Sequence, residues 1–196
     1  FPHQIIEHDD LEAPEFVENP VNRCYFCKKV RFSKLKEYAI EHGYPIMVEG
    51  SNADDLKANR PGAKASKELQ VRSPLQEVGY AKSEIRKVSE LLGIPVWDRP
   101  SSPCLATRIP FGTPITHADL NTVAQAEEIL KQRGFTSIRV RYQKPIARIE
   151  VEPTQVNSLV EQKEEIVAAF KSLGIKRVLV DLEGYRSGKL TEDVKK

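Results

Sequence analysis

The succession of residues around Gly43 most limits what this chain can fold into. A helical pattern starts near Asn22, with apolar positions at Phe26, Val30 and Ala39, and Gly43 is suited to ending it. Directly after comes Pro45-Ile46-Met47-Val48-Glu49-Gly50, a short apolar run of the kind buried in a parallel strand. Helix, strand and then a Gly/Ser/Asn loop is the order of an open α/β sheet. The order returns downstream. Val71 to Leu75 reads as a second strand, followed by a helix capped by Ser83 that carries Ile85, Val88, Leu91 and Leu92 on one face before Gly93.

Residues 1–20 are acidic and read as an irregular surface segment. The proline- and serine-rich stretch from Asp98 to Pro114 marks a boundary, dividing the chain into 1–100 and 101–196. Beyond it Thr116 is placed to cap a helix with Asp119 in its first turn; Leu120, Val123, Ala124 and Leu130 form an inner stripe and Gly134 ends it. Alternating runs at Ile138–Tyr142 and Ala147–Glu152 predict a hairpin through Gln143-Lys144-Pro145-Ile146. A helix from Thr154 to Leu173 and a strand from Arg177 to Leu182 complete a small α+β domain.

Composition excludes several classes. Thirty basic and 28 acidic residues leave a net charge of +2, so no nucleic-acid partner is expected. No apolar run reaches the ~20 residues of a membrane span, and no membrane partner is expected. The default compartment is the cytoplasm. The chain starts at Phe1, which reads as a fragment or a processed chain. Its three cysteines are an odd number, unlike a secreted disulfide framework.

Four groups of residues carry chemistry. Cys24-Tyr25-Phe26-Cys27 sits at a helix start, where the dipole and neighbours such as Arg23 and Lys28 favour thiolates. With Cys104, three thiolates suffice for a four-iron four-sulfur cluster with one iron left open, or for zinc with a fourth ligand from elsewhere. Three unrelated buried thiols is the plainer reading. Glu49-Gly50-Ser51-Asn52-Ala53-Asp54-Asp55 follows a strand end, where α/β sheets bind ligands. Its carboxylates Asp54 and Asp55 are suited to Mg²⁺ through water, although an ordinary turn with a helix cap gives the same string. In Ser101-Ser102-Pro103-Cys104-Leu105-Ala106-Thr107-Arg108-Ile109-Pro110, a thiol lies near a hydroxyl and a guanidinium. That set suits sulfur chemistry on an anion that Arg108 would grip; a structural proline-rich linker is the alternative. Arg139 and Arg141 share a strand face, calling for a phosphate between them or for Glu150 on the neighbouring strand.

In order along the chain, Asn19-Pro20-x-Asn22-Arg23-Cys24-Tyr25-x-Cys27-Lys28, Gly50-Ser51-Asn52-Ala53-Asp54-Asp55, Arg60-Pro61-Gly62, Ser73-Pro74-Leu75 and Trp97-Asp98 are joined by Cys104-Leu105-Ala106-Thr107-Arg108-Ile109-Pro110. Arg139-Val140-Arg141, Ala147-Arg148-Ile149-Glu150 and Gly184-Tyr185-Arg186 follow. Together they resemble the LarE family, sulfur transferases of the PP-loop pyrophosphatase superfamily that build the nickel-pincer nucleotide cofactor of lactate racemase. The resemblance implies a fold: an incomplete open parallel sheet (a Rossmann-like PP-loop domain lacking its first strands) followed by the small α+β domain. It also implies a reaction, in which ATP and Mg²⁺ adenylylate a carboxylate of pyridinium-3,5-biscarboxylic acid mononucleotide and a sulfur then displaces AMP.

In one type of member a single cysteine matching Cys104 surrenders its own sulfur; in the other, three cysteines hold an iron–sulfur cluster. Cys24, Cys27 and Cys104 match the second type. Arg139 and Arg141 match residues that would hold the substrate phosphate, and Thr107 stands where serine is common. Tyr142-Gln143 replace a frequent histidine. Asn52, Asp54 and Asp55 fall near ATP and Mg²⁺, and a homo-oligomer acting on a small nucleotide is implied. The Ser-Gly-Gly-x-Asp-Ser loop that grips ATP phosphates in such enzymes is not in the sequence, so this chain alone is expected to be inactive. A PP-loop tRNA thiolase and a non-catalytic zinc-stabilised binding module are the competing expectations.

Overall fold

The structure, a computed structural model, describes residues 3–57, 61–99 and 102–186. Arg60 and Ser101, both within strings quoted above, lie outside the described residues. Two compact units divide the chain after Ser102.

The first unit is built on the long helix α2 (Arg23–Glu41). It starts after Asn22 and closes with Gly43 at φ +71°, as the sequence predicts. The segment before it is not mere surface. A 3₁₀ turn at Asp10–Glu12 leads into α1 (Pro14–Val17), which buries Phe16, and Asn19 receives a hydrogen bond from Arg23. Short helices follow: α3 (Asp54–Lys57), α4 (Gly62–Glu68) and α5 (Pro74–Glu77), then α6 (Lys82–Leu91). Helix α4 packs closely on the first turn of α2. A Cβ at Gly62 would stand 3.1 Å from Cδ of Lys28 and 3.4 Å from the Cys24 carbonyl oxygen.

Several sequence expectations are corrected here. Among the described residues the two expected parallel strands meet only in one parallel bridge, Val48 to Arg72, with Arg72 N–H donating to Met47 O at 3.0 Å and Glu49 N–H to Arg72 O at 2.8 Å. The bridge does not extend because Pro74 starts α5. Ile46 and Val48 are exposed, without the two covered faces on which parallel strands depend. Helix α6 is capped not by Ser83 but by Glu84, which accepts from Ala81 N–H at 2.8 Å, while Asp54 accepts from Lys82 N–H at 2.9 Å. Its apolar stripe is also uncovered within this unit, Leu91 being 84% exposed.

Among the described residues the second unit is a three-stranded sheet backed by helices. Helix α7 (His117–Gln132) is capped by Thr116, whose oxygen accepts from Asp119 N–H at 3.1 Å. Strands β1 (Arg139–Gln143) and β2 (Ile146–Glu150) pair antiparallel, and β3 (Arg177–Val180) joins β2 in parallel, giving the order β1-β2-β3. The single expected helix after β2 is instead a 3₁₀ turn (Pro153–Gln155) and two helices, α8 (Val156–Glu161) and α9 (Lys163–Ser172). Alternation along β1 and β2 sends Val140, Tyr142, Ala147 and Ile149 into a core with Val123, Ala126 and Leu130 of α7 and Phe170 of α9. Ala126, not Ala124, completes the α7 stripe.

The opposite sheet face carries Arg139, Arg141, Arg148 and Glu150. The chain returns to this sheet through Gly184, whose φ is +70° and whose missing Cβ would lie 2.7 Å from the Val151 carbonyl oxygen. A Gly184→Ala chain meets both a left-handed conformation and a backbone clash. It should lose at least about 1 kcal/mol of stability in urea denaturation; an unchanged midpoint would contradict the close approach.

Candidate active site

The Cys104 loop is held by arginines and carboxylates of the second unit. Cys104 precedes a short 3₁₀ turn, Leu105–Arg108, anchored by buried Ala106 with Ile109 just beyond. The Cys104 carbonyl accepts from three donors: Thr107 N–H at 3.0 Å, Thr107 Oγ1 at 2.8 Å and Arg108 Nη1 at 3.3 Å. Its thiol is exposed. A cysteine with a fixed backbone and an accessible sulfur is well mounted for attack or for donation.

Arg108 does not present its fork to a ligand. It is 3% exposed; Nε and Nη2 donate to the two carboxylate oxygens of Glu127 at 2.7 and 2.9 Å. Nη1 donates to Pro103 O at 3.0 Å and to Thr107 Oγ1 at 2.9 Å. The anion grip expected of Arg108 is thus filled internally, because a guanidinium removed from water needs a carboxylate. Glu127 went unnoticed in the sequence. Its signal was a carboxylate at i+4 from Val123 and three before Leu130, on the inward stripe of α7.

Arg141 behaves similarly. Its Nε and Nη2 meet both oxygens of Glu150 at 3.0 and 2.9 Å, and Nη1 donates to the Thr107 carbonyl at 2.8 Å, tying the turn to β1. Glu150 is fully buried and also receives Arg148 Nη2 at 3.4 Å. Of the two outcomes the sequence left open for Arg141, the internal partner is the one present.

Arg139 differs. Among the described residues no carboxylate lies within ion-pair distance of it. Its guanidinium stacks over the Tyr185 ring at 4.6 Å, and Nη1 donates to Ile138 O at 2.6 Å. Burial, and then the like charge of Arg108, lower its pKa below the usual arginine value. A half-buried cation crowded by other cations is one that an anion would relieve.

In the first unit Cys24 and Cys27 occupy one face of the first turn of α2. Cys24 is exposed, and Cys27 Sγ lies 3.7 Å from an Asp10 carboxylate oxygen that also meets Arg31. Cys104 belongs to the other unit. None of the three cysteines is in a disulfide, and three thiols are a donor set that fits an iron–sulfur cluster or zinc. Among the described residues no group of three or more His, Cys, Asp or Glu side chains stands together as a metal site.

Asn52, Asp54 and Asp55 are brought together by hydrogen bonds to backbone amides at the starts of α3 and α6. Asn52 Oδ1 accepts from Asp54 N–H at 3.1 Å, Asp55 accepts from Asn52 N–H at 3.0 Å, and Asp54 serves α6 as described. Short helices expose bare N–H groups, and here the Asn52 carboxamide satisfies the first of α3 and the Asp54 carboxylate the first of α6. Asn52 and Gly50 also line a cavity of about 320 Å³ with Lys82, Arg86 and Trp97. Glu49 lies elsewhere in this unit, with Lys28 Nζ at 2.6 Å and Ser66 Oγ at 2.7 Å. Burial opposes its charge, but the hydrogen bonds from Lys28 and Ser66 and the Lys28 charge outweigh it, so its pKa falls below the ordinary 4.5.

No family model matches the chain. It is 32% identical over 188 residues to the pyridinium-3,5-bisthiocarboxylic acid mononucleotide synthase of Lactiplantibacillus plantarum, covering 96% of this chain and 68% of that protein. Similarity extends to an uncharacterized protein of Synechocystis, 42% identical with 96% and 71% covered. An uncharacterized protein of Methanocaldococcus jannaschii is 35% identical, with 90% and 69% covered. By its fold and site the chain is a mixed α/β protein with a mounted cysteine beside an arginine-rich strand. It belongs to the LarE family. No helix among the described residues is long and apolar enough to cross a membrane.

Two outcomes follow from the ion pairs. Glu150→Ala strands Arg141 and half of Arg148 and should cost about 3–5 kcal/mol in denaturant titration, whereas an exposed pair would cost under about 1 kcal/mol. Glu49, with its folded pKa depressed, stabilises the fold fully above pH 4.5, and that contribution is lost as pH falls through the depressed value. Glu49→Gln should therefore flatten the acid limb of a circular-dichroism pH titration of stability; an unaltered limb would remove Glu49 from the acid response.

Proposed function

We propose that this chain transfers sulfur to an activated carboxylate of a pyridinium dicarboxylate mononucleotide, the chemistry for which its Lactiplantibacillus relative is named. The observation that carries the reading is the mount of Cys104: an exposed cysteine whose backbone carbonyl is fixed by three donors, on a turn bonded through Arg141 to the strand that bears Arg139.

A free carboxylate is a poor electrophile. Adenylylation by ATP, with release of pyrophosphate, gives an acyl-adenylate whose AMP is a good leaving group. Attack of the Cys104 thiolate on the acyl carbon would expel AMP and form a thioester. Loss of the Cys104 α-proton and cleavage of its Cβ–S bond would then leave a thiocarboxylate on the substrate and dehydroalanine in the chain. Arg139, backed by Tyr185, would hold the substrate phosphate. Thr107 and Arg108 would fix the loop, and Arg141 with Glu150 would fix the strand. The first unit would be part of a PP-loop domain, with the Gly50 and Asn52 cavity on its ATP side.

Cys24, Cys27 and Cys104 are also the residues that would hold a four-iron four-sulfur cluster. When bound, such a cluster supplies an open iron able to carry a transferable sulfide, sparing the protein's own sulfur.

The test is iron, zinc and acid-labile sulfide per chain after anaerobic reconstitution, for this chain and for Cys104→Ala, together with mass spectrometry after incubation with pre-formed acyl-adenylate. Iron and sulfide in near-equal amounts, lost in the variant, would establish the three-cysteine cluster. Loss of the mass of H₂S at Cys104 without metal would establish a sacrificial cysteine. Zinc with no thiocarboxylate formed would overturn the sulfur-transfer reading in favour of a structural metal site.

A further inference from the structure

We propose that Glu127 is a positioning residue for sulfur transfer: it holds Arg108 as a clamp on the Cys104 backbone and so leaves Arg139 as the guanidinium open to the substrate anion. The inference rests on the roles given above to Cys104 and Arg139. What it adds is the reason that one arginine of the cluster, and not another, faces the ligand.

The charges set out the problem. Counted over these described side chains alone, Arg108, Arg139, Arg141 and Arg148 stand against Glu127, Glu150 and Asp181, four positive and three negative, an excess of one positive charge among the seven. Where that charge resides depends on which forks the carboxylates close. Glu150 closes Arg141 and Glu127 closes Arg108, each with two near-parallel N–H···O bonds. Arg139 keeps the excess.

Glu127 is itself held by a third contact, since its Oε1 also accepts from Val140 N–H at 2.9 Å. Among the described residues strand β1 is the edge of the sheet, so this amide has no strand partner there on that side and the carboxylate takes it. One side chain of α7 therefore fixes both the arginine that clamps the Cys104 carbonyl and the strand next to Arg139. Without the carboxylate, a buried guanidinium has no counter-charge and is driven outward to solvent or to a bound anion. Arg108 would then become a second anion-binding fork, and the Cys104 turn would lose one of the donors on its carbonyl.

A purely structural Glu127 would weaken ligand binding when replaced; the proposal requires the opposite. The experiment uses the full chain with Cys24→Ser and Cys27→Ser, so that Cys104 is the one thiol. Inorganic phosphate is titrated while the backbone amide resonances of β1 are followed, and the rate of iodoacetamide alkylation at Cys104 is measured in parallel. Glu127→Gln should bind phosphate roughly fivefold more tightly, the scale of one added charge-assisted contact. Its Cys104 should be alkylated roughly threefold faster as the loop opens more often.

Weaker phosphate binding, or an unchanged alkylation rate, would overturn the proposal. If Glu127→Gln fails to fold, Glu127→Asp decides. It keeps the charge but is one methylene too short to hold Arg108 and Val140 together, so faster alkylation supports the proposal and a wild-type rate overturns it. Arg139→Ala separates the underlying reading. Undiminished phosphate binding in that variant would overturn the anion role of Arg139, and the alkylation rates would still decide whether Glu127 clamps the loop.

Discussion

The second unit depends on a buried guanidinium having a carboxylate to face. Arg108 and Glu127 meet through two short hydrogen bonds in surroundings that exclude most water, and the turn bearing Cys104 is organised around that pair. Such a pair adds little net stability over an apolar packing of the same volume. Its value lies in direction: a planar fork fixes the angles of everything it touches, and here it touches three oxygens of the Cys104 turn. The Arg141–Glu150 pair repeats the device two residues along β1 from Arg139 and joins the turn to the sheet through the Thr107 carbonyl. The sulfur is left exposed on a backbone that has little freedom.

The first unit solves a different problem. Its elements are short, and short helices present more unsatisfied amides per residue than long ones. Asn52, Asp54, Asp55 and Glu84 are used to satisfy them. Lys28, Glu49 and Ser66 connect α2 to α4 and to the bridge at Val48, and the absence of a side chain at Gly62 lets α4 approach the turn that carries Cys24. Polar contacts do much of the joining that a covered sheet would otherwise do.

Local order was legible in the sequence where local chemistry decides it. Thr116 and Asp119 cap α7, Gly43 ends α2, and the alternation of β1 and β2 places Val140 and Ile149 inward and the arginines outward. Long-range order was less so. Val71 to Leu75 has strand composition, but a strand needs neighbours, and Pro74 turns the chain into α5 instead. Within the site, Cys104, Thr107, Arg108, Arg141 and Glu150 do come together. Their division of labour was not readable, because hydrogen bonds across 19 positions, as between Arg108 and Glu127, leave no trace in spacing. An acidic residue on a helix's buried stripe was the one available sign.

The return of the chain at Gly184 has a consequence for how this surface is maintained. Tyr185, 46 positions beyond Arg139, lays its ring against that guanidinium, and only a residue without a side chain before it lets the segment come so close to Val151. The stretch at Gly184 and Tyr185 therefore acts as a lining for the site. A protease nick after β3 would leave the sheet and its core in place and still strip one wall from the arginine.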